Sequence, residues 1–291
     1  MDLFSAILLG IVQGVSEWLP ISSKTLDAFV FLQFLGGSAQ EVIPILLYLH
    51  LGTLFSAIIY FRKKIMQIIL EFAKIRSIGQ FKKSQASFYF FALLGTGIVG
   101  IPLLVLQKLY FSSLEAGALY AIMGIGLLLT AALLYLQKKK AHSASGLHKQ
   151  KNTINGEKWA KSPAKCAKEA TIKDGIFTGL FQGLSVLGGL SRSGTTTTAL
   201  VFAKFEPKAV FELSFILSIP TIMCAEVLFY ILDGSFASFD ISQGAALALS
   251  SFVFGYLTID ALIRLAQRIN LAALAAIFGI LMVLAGLLQL S

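Results

Sequence analysis

The segment "GGLSRSGTTTTAL", Gly188–Leu200, places one arginine among glycines and hydroxyl side chains, between strongly apolar neighbours. Of the 291 residues in the chain, 56% are hydrophobic and only 13% are charged, and the mean hydropathy is +0.80. Since soluble domains carry about 25% charged residues, this composition predicts an integral membrane protein with Arg192 at membrane depth. A charged group in that position is costly and usually marks a functional site.

Six apolar segments are long enough to cross a bilayer, which takes about 20 residues: 41–61, 86–107, 116–136, 209–232, 241–262 and 271–290. Two more, 3–35 and 175–205, are interrupted by polar and small residues, the first at "LPISSKT" and the second at the segment quoted above. Each is too broken for one helix and too short for two spans, which favours a re-entrant helical hairpin. The predicted fold class is an all-α polytopic membrane protein with six transmembrane helices and two re-entrant hairpins. No basic region precedes the first apolar segment, so we do not expect a cleaved signal peptide.

The two interrupted segments resemble each other. At a shift of 169 positions, five residues of the first segment are identical to their counterparts in the second: Gly10, Gln13, Gly14, Ser16 and Ser22 align with Gly179, Gln182, Gly183, Ser185 and Ser191. This predicts an internal repeat of one hairpin and three spans. Because three is odd, the second copy is predicted to lie inverted in the membrane, an arrangement that can form a binding site near the midplane. The predicted division is 1–136 for the first repeat, 137–174 for a Lys-rich linker and 175–291 for the second repeat.

Basic residues are concentrated in two segments. Residues 62–83 and 137–174 hold 17 of the 24 lysines and arginines, and both flank apolar spans. The positive-inside rule places both segments in the cytoplasm, which puts the termini and the site towards the outer face of a plasma membrane. Residues 137–174 are predicted to form a flexible linker. We expect no nucleic-acid partner, and we expect Cys166 and Cys224 to be free thiols without a zinc cluster.

The residues at the two interruptions suit phosphate chemistry. Gln13 and Glu17 are four residues apart and share one helix face, and the second interruption carries Arg192. A guanidinium, hydroxyl groups and the amides of helix N-termini all bind phosphate well. Glu17 either pairs with Arg192 or holds a divalent cation that polarises the phosphoryl group, with Gln13 as a neutral ligand. Small and hydroxyl residues are also common at helix contacts in membranes, so a packing role for them, and a structural role for the ion pair, stay open.

These motifs resemble the undecaprenyl-diphosphate phosphatase family, the BacA/UppP-type integral membrane enzymes. "QGVSE" (Gln13–Glu17) followed by "PISS" (Pro20–Ser23) is similar to the family pattern (E/Q)-x-x-x-E with P-x-S-S, and "GGLSRSGTT" (Gly188–Thr196) is similar to P-G-x-S-R-S-G-x-T. The resemblance covers the chain except the linker. It implies removal of the terminal phosphate from a polyprenyl diphosphate, which gives the monophosphate carrier of cell-envelope glycan synthesis. It also implies a divalent metal, Mg²⁺ or Ca²⁺, and a site that opens to the outer face.

The resemblance further implies roles for individual residues. Gln13 and Glu17 support metal binding and catalysis, and Ser23 is the candidate nucleophile with Ser22 in support. The predicted phosphate-binding group consists of Ser191, Arg192, Ser193 and Thr196, together with Gly189 and Gly194, which let the backbone approach a ligand closely.

The chain departs from the family pattern at two positions. Leu26 stands where the family has a histidine, and Gly188 stands where it has a proline. We interpret His50, in the first predicted span, as a core or pocket-wall residue, and Lys24 and Asp27 as replacements that compensate for the lost histidine. The alternative function is a non-enzymatic polyprenyl-phosphate transporter or flippase on the same fold. Expected partners are the polyprenyl diphosphate substrate and membrane lipids, and a homodimer is left open.

Overall fold

The protein is all-helical in a computed structural model that describes residues 1–111, 116–149, 164–233, 240–266 and 268–290. Within these residues there are twelve α-helices: α1 (Leu3–Ser16), α2 (Ser23–Phe34), α3 (Ala39–Tyr60), α4 (Arg62–Ala73), α5 (Ile78–Lys83), α6 (Gln85–Phe111), α7 (Ala116–Lys149), α8 (Ile172–Gly183), α9 (Arg192–Phe202), α10 (Pro207–Asp233), α11 (Ile241–Ala266) and α12 (Leu271–Leu290). Extended pairing among the described residues is limited to one isolated bridge between Lys165 and Phe205.

Both interrupted segments fold as a helix, a break and a second helix, as predicted. In the first segment, α1 ends at Ser16 and α2 begins at Ser23, with Pro20 in the break. In the second, α8 leads through a 3₁₀ turn at Leu184–Val186 into α9, which begins at Arg192. Each break falls where the sequence loses its apolar character, so the helix–break–helix form of both segments is confirmed, and their re-entrant course in the membrane stays a prediction.

Five helices of the described part are long and apolar enough to cross a membrane: α6, α7, α10, α11 and α12. They coincide with five of the six predicted spans. The remaining predicted span, 41–61, corresponds to α3, which bends by 75° into α4 after one residue, so that the pair forms a broken span or a re-entrant element. The protein is therefore a multi-pass membrane protein.

The two basic segments contain more helix than predicted. Residues 62–83 hold α4 and α5, and α7 continues through 137–149, the first part of the predicted flexible linker. The reason is local, because Ala, Leu, Gln, Lys and Arg favour helix once a helix has begun. Residues 150–163 of the linker lie outside the described part. At the start of α4, Lys64 forms an ion pair with Glu212 of α10 at 2.7 Å.

The first helix of each hairpin packs on a span of the other half of the chain. Helix α1 packs on α11, whereas α8 packs on α6. Small residues make both contacts close: Gly14 lies against the backbone of Gly255, and Gly179 lies against the backbone of Ala92. Under the 169-residue shift α1 corresponds to α8, so this reciprocal packing supports the predicted repeats. Their boundaries and their opposite orientation in a membrane stay predictions.

We expect Gly179→Ala to destabilise the protein by about 1–3 kcal/mol, because the added methyl group would collide with the backbone of Ala92 on α6. Gly97→Ala is the matched control, since a methyl group there would meet only the Ile101 side chain at 3.7 Å. Thermal unfolding in detergent measures both changes. Equal unfolding midpoints for the two variants would contradict the close α8–α6 contact.

Candidate functional site

Glu17 lies at the point where both hairpins and α3 come together. It is the C-cap residue of α1 and is only 6% exposed. Its carboxylate accepts hydrogen bonds from Gln13 Nε2 at 3.1 Å and from Ser23 Oγ at 2.7 Å, and it forms an ion pair with Arg192. The predicted shared face of Gln13 and Glu17 is thus confirmed, and of the two alternatives left open for Glu17 the pairing with Arg192 is present.

Arg192 is the first residue of α9, and its side chain is 16% exposed. The Nη2 group donates to Glu17, whereas Nη1 is buried and has no hydrogen-bond partner within the described residues. A second contact joins the same two tips, since Ser193 Oγ donates to the backbone carbonyl of Leu19 at 3.3 Å. The two hairpin tips therefore meet, and one guanidinium donor is left unused where they meet.

The two neighbouring serines of the first tip have different positions. Ser23 contacts the Glu17 carboxylate, whereas the Ser22 hydroxyl pairs with Thr25 Oγ1 at 2.9 Å. Ser22 is the N-cap residue of α2, has a φ of 60° and makes no side-chain capping bond. A left-handed conformation at a residue other than glycine is strained, and such strain is typical of ligand-binding sites. The first amides of α2 thus lie beside Ser23 without a side-chain cap.

The predicted phosphate-binding residues divide into two groups. Ser191 and Ser193 flank Arg192 and their hydroxyls lie 3.1 Å apart, while Ser191 Oγ also accepts from the Gly194 amide and so caps α9. Thr196 is fully buried, donates to the Arg192 carbonyl at 2.9 Å and pairs with Ser214 on α10. These hydroxyls thus hold Arg192 and α9 in place, and their direct contact with phosphate stays a prediction.

The two glycines of the predicted group contact α7. Gly189 has a φ of +86°, and a side chain there would meet the carbonyl of Met123. At Gly194 a side chain would come within 3.0 Å of the Thr130 side chain. Helix packing accounts for both positions, and neither contact involves Glu17.

His50 on α3 is the site residue that sequence reasoning did not place at the carboxylate. Its Nε2 atom lies 3.7 Å from Glu17 Oε2, and its Nδ1 atom lies 2.7 Å from the backbone carbonyl of Leu46. Leu26, where the family has its histidine, packs instead against the apolar cluster of Leu19 and Ile21. The signal available in the sequence was a histidine inside an apolar span, which is itself unusual. Because His50 is far from both motifs along the chain, the sequence did not reveal its contact with Glu17.

Two further charged residues on α2 lie near the carboxylate. Asp27 is 1% exposed, neither of its oxygens has a hydrogen-bond partner in the described part, and it interacts electrostatically with Glu17. Lys24 is exposed, forms no hydrogen bond or ion pair with the described residues, and interacts electrostatically with the carboxylates of Glu17 and Glu226 and with Arg192. The first tip thus presents a cation directly after Ser23 in the chain.

The residues around Glu17 fit a weakly ligated divalent cation. No group of three or more His, Cys, Asp or Glu side chains is close enough to hold one ion in the described ranges. However, Gln13, whose Nε2 group bonds the Glu17 carboxylate, has a buried Oε1 atom without a donor among the described residues. One carboxylate and an amide oxygen are enough for a hard cation whose other ligands come from water and from a bound phosphate group.

The fold and the site together define a class: a multi-pass membrane protein with a buried polar site between two broken helical hairpins. The family model for the bacitracin resistance protein BacA matches residues 6–288, and the chain belongs to this family. A relative from Methanococcoides burtonii, named undecaprenyl-diphosphatase, is 32% identical over 98% of each chain. Relatives of the same name from Haloarcula marismortui and Saccharolobus solfataricus are 34% and 33% identical, over 97% of this chain in both cases and over 97% and 95% of their own.

We expect Arg192→Ala to lower the free energy of unfolding by about 3 kcal/mol or more, because Glu17 would remain buried without its countercharge. The double variant Glu17→Gln with Arg192→Gln removes both charges and should recover much of that loss. Arg264→Ala breaks the exposed Asp260–Arg264 pair and should leave the unfolding midpoint nearly unchanged. Thermal unfolding in detergent compares the three proteins, and a double variant no more stable than Arg192→Ala would contradict this assignment.

Proposed function

We propose that the protein hydrolyses undecaprenyl diphosphate to undecaprenyl phosphate and inorganic phosphate, and thereby recycles the lipid carrier of cell-envelope glycan synthesis. The observation that carries the proposal is the Arg192 guanidinium, which holds Glu17 through Nη2 while its buried Nη1 has no partner among the residues that the structure describes. A buried donor without a partner is costly unless a ligand satisfies it. The full-length relatives named undecaprenyl-diphosphatase support the same substrate.

The terminal phosphate would bind where the two hairpin tips meet. Arg192 would supply its free Nη1 group, and α2 and α9 both begin at this point, so that their N-terminal dipoles favour an anion. Lys24 would add a second cation for the other phosphate of the diphosphate. Ser191 and Ser193 would act by fixing the position of Arg192.

Ser23 is the proposed nucleophile. Its Oγ would attack the terminal phosphorus while its proton passes to Glu17 Oε2, with which it already shares a 2.7 Å hydrogen bond. The bond between the terminal phosphorus and the bridging oxygen breaks, and undecaprenyl phosphate leaves. Water then hydrolyses the phosphoserine, with Glu17 returning the proton to Ser23.

A divalent cation, Mg²⁺ or Ca²⁺, would be held by Glu17 and Gln13. When bound it would polarise the phosphoryl group and neutralise the negative charge on the bridging oxygen, which leaves with undecaprenyl phosphate. Gln13 Oε1, which is buried and lacks a donor in the described part of the chain, is the atom that supports this placement. We propose a plasma-membrane location with the basic segments 62–83 and 137–174 in the cytoplasm and the site open to the outer face, as the charge distribution favours.

Phosphate release from undecaprenyl diphosphate by the purified protein in detergent tests the activity. We expect release with Mg²⁺ or Ca²⁺ and its loss in EDTA. Ser23→Ala should lower kcat by about 100-fold or more, whereas Ser22→Ala should cost much less, because its hydroxyl pairs with Thr25 and does not contact Glu17. Equal losses in the two variants would contradict the assignment of Ser23.

Arg192→Lys tests the phosphate contact without removing the charge that stabilises Glu17. Lysine cannot donate from two nitrogen atoms in a fixed plane, so we expect a rise in KM for the diphosphate together with a fall in kcat. Protein that binds the lipid but releases no phosphate with any metal would favour the alternative, a polyprenyl-phosphate transporter. A lipid-translocation assay in liposomes would then decide the matter.

A further inference from the structure

Gln13, whose side chain contacts Glu17, carries an acceptor atom that has no donor among the described residues. Gln13 is fully buried, and its Nε2 group donates to Glu17 Oε2 at 3.1 Å and to Thr53 Oγ1 at 3.2 Å. Since a carboxylate only accepts, the orientation of this amide is fixed, and Oε1 is left without a hydrogen-bond partner in the described part of the chain. Buried acceptors are normally satisfied by a donor, a water molecule or an ion.

The second acceptor is His50 Nε2. The Leu46 carbonyl can only accept, so Nδ1 of His50 must carry the hydrogen of their 2.7 Å bond. In neutral His50 the lone pair is then on Nε2, which lies 3.7 Å from Glu17 Oε2. A lone pair on Nε2 and the Glu17 carboxylate repel each other at this distance, and either a proton on Nε2 or a cation bound between the two atoms removes the repulsion.

We infer that Glu17, Gln13 Oε1 and His50 Nε2 form a three-ligand site for a divalent cation, in which His50 is a ligand outside both sequence motifs. The inference rests on the proposed function and deepens it, because the remaining coordination positions are left for water and the substrate phosphates. Nδ1 bonded to a backbone carbonyl is the usual arrangement for a metal-bound histidine, since it fixes the ring and directs Nε2 to the ion.

The histidine has a consequence for metal preference. Imidazole nitrogen is a better ligand for transition metals than for Mg²⁺ or Ca²⁺. We therefore expect this protein to bind Mn²⁺ and Co²⁺ more tightly than Ca²⁺. His50→Gln, which replaces the imidazole by an amide, should reduce that difference.

The second repeat provides a matched control. Gln182 corresponds to Gln13 under the 169-residue shift and is also fully buried. Its Nε2 group donates to Thr96 and Thr221, and its Oε1 atom also lacks a donor among the described residues. The position that corresponds to Glu17 is Val186, so this amide has no carboxylate four residues after it. Gln182→Ala should therefore leave metal binding unchanged, which separates the effect of ligation from that of removing a buried amide.

Mn²⁺ binding to the untagged full-length protein, in detergent with methylene diphosphonate as a non-hydrolysable probe, tests the site. Electron paramagnetic resonance gives the affinity, and its nitrogen modulation reports an imidazole bound to Mn²⁺. We expect this modulation in the wild type and in Gln182→Ala. In His50→Gln we expect the modulation to be lost and the affinity for Mn²⁺ to be about 10-fold weaker or more than in the wild type. Gln13→Glu adds a second carboxylate and should tighten Mn²⁺ binding. This variant tests the site independently if His50→Gln does not fold.

The inference would be overturned if the nitrogen modulation persists in folded His50→Gln, or if it is absent in the wild type. His50 would then be an imidazolium partner of Glu17. Phosphate release is measured on the same preparations. Wild type that binds Mn²⁺ through His50 but releases no phosphate would refute the proposed function alone. Active protein with unchanged Mn²⁺ affinity in His50→Gln would refute the inference alone.

Discussion

The ion pair between Glu17 and Arg192 joins the tips of two hairpins that are 175 residues apart in the chain. Neither charge could stay at this depth alone, because an unpaired buried charge destabilises a protein strongly. The pair therefore requires both hairpins to be present and correctly seated. The hydrogen bond from Ser193 to the Leu19 carbonyl adds a second contact between the same two tips.

The hairpins can meet because each is inserted between spans of the protein. Irregular backbone at membrane depth is stable only when protein surrounds it. The glycine-rich faces of α1 and α8 supply this by direct backbone contact with α11 and α6. The Thr195–Thr198 hydroxyls serve the same purpose in α9, since all four bond to backbone carbonyls of their own helix. Much of the hydroxyl-rich motif thus builds the support on which Arg192 sits.

His50 brings an imidazole to Glu17 from a helix outside both motifs. The family's histidine position holds Leu26, which packs among apolar residues. An imidazole nevertheless lies 3.7 Å from the Glu17 carboxylate, and it comes from α3.

The sequence by itself determined the membrane class, the two helical breaks, the shared face of Gln13 and Glu17 and the importance of Arg192. These follow from composition and from spacings within a few residues, where local geometry decides the outcome. The sequence analysis did not predict the helices in 62–83 and 137–149, because the many lysines and arginines of these segments indicated loops. Only the tertiary structure showed that Ser23 contacts Glu17 while Ser22 pairs with Thr25, that Thr196 pairs with Ser214, and that His50 lies near Glu17. Those contacts depend on how helices that are distant in sequence pack side by side. Small residues on the two facing helices set how closely they pack, and one segment of sequence does not reveal its partner.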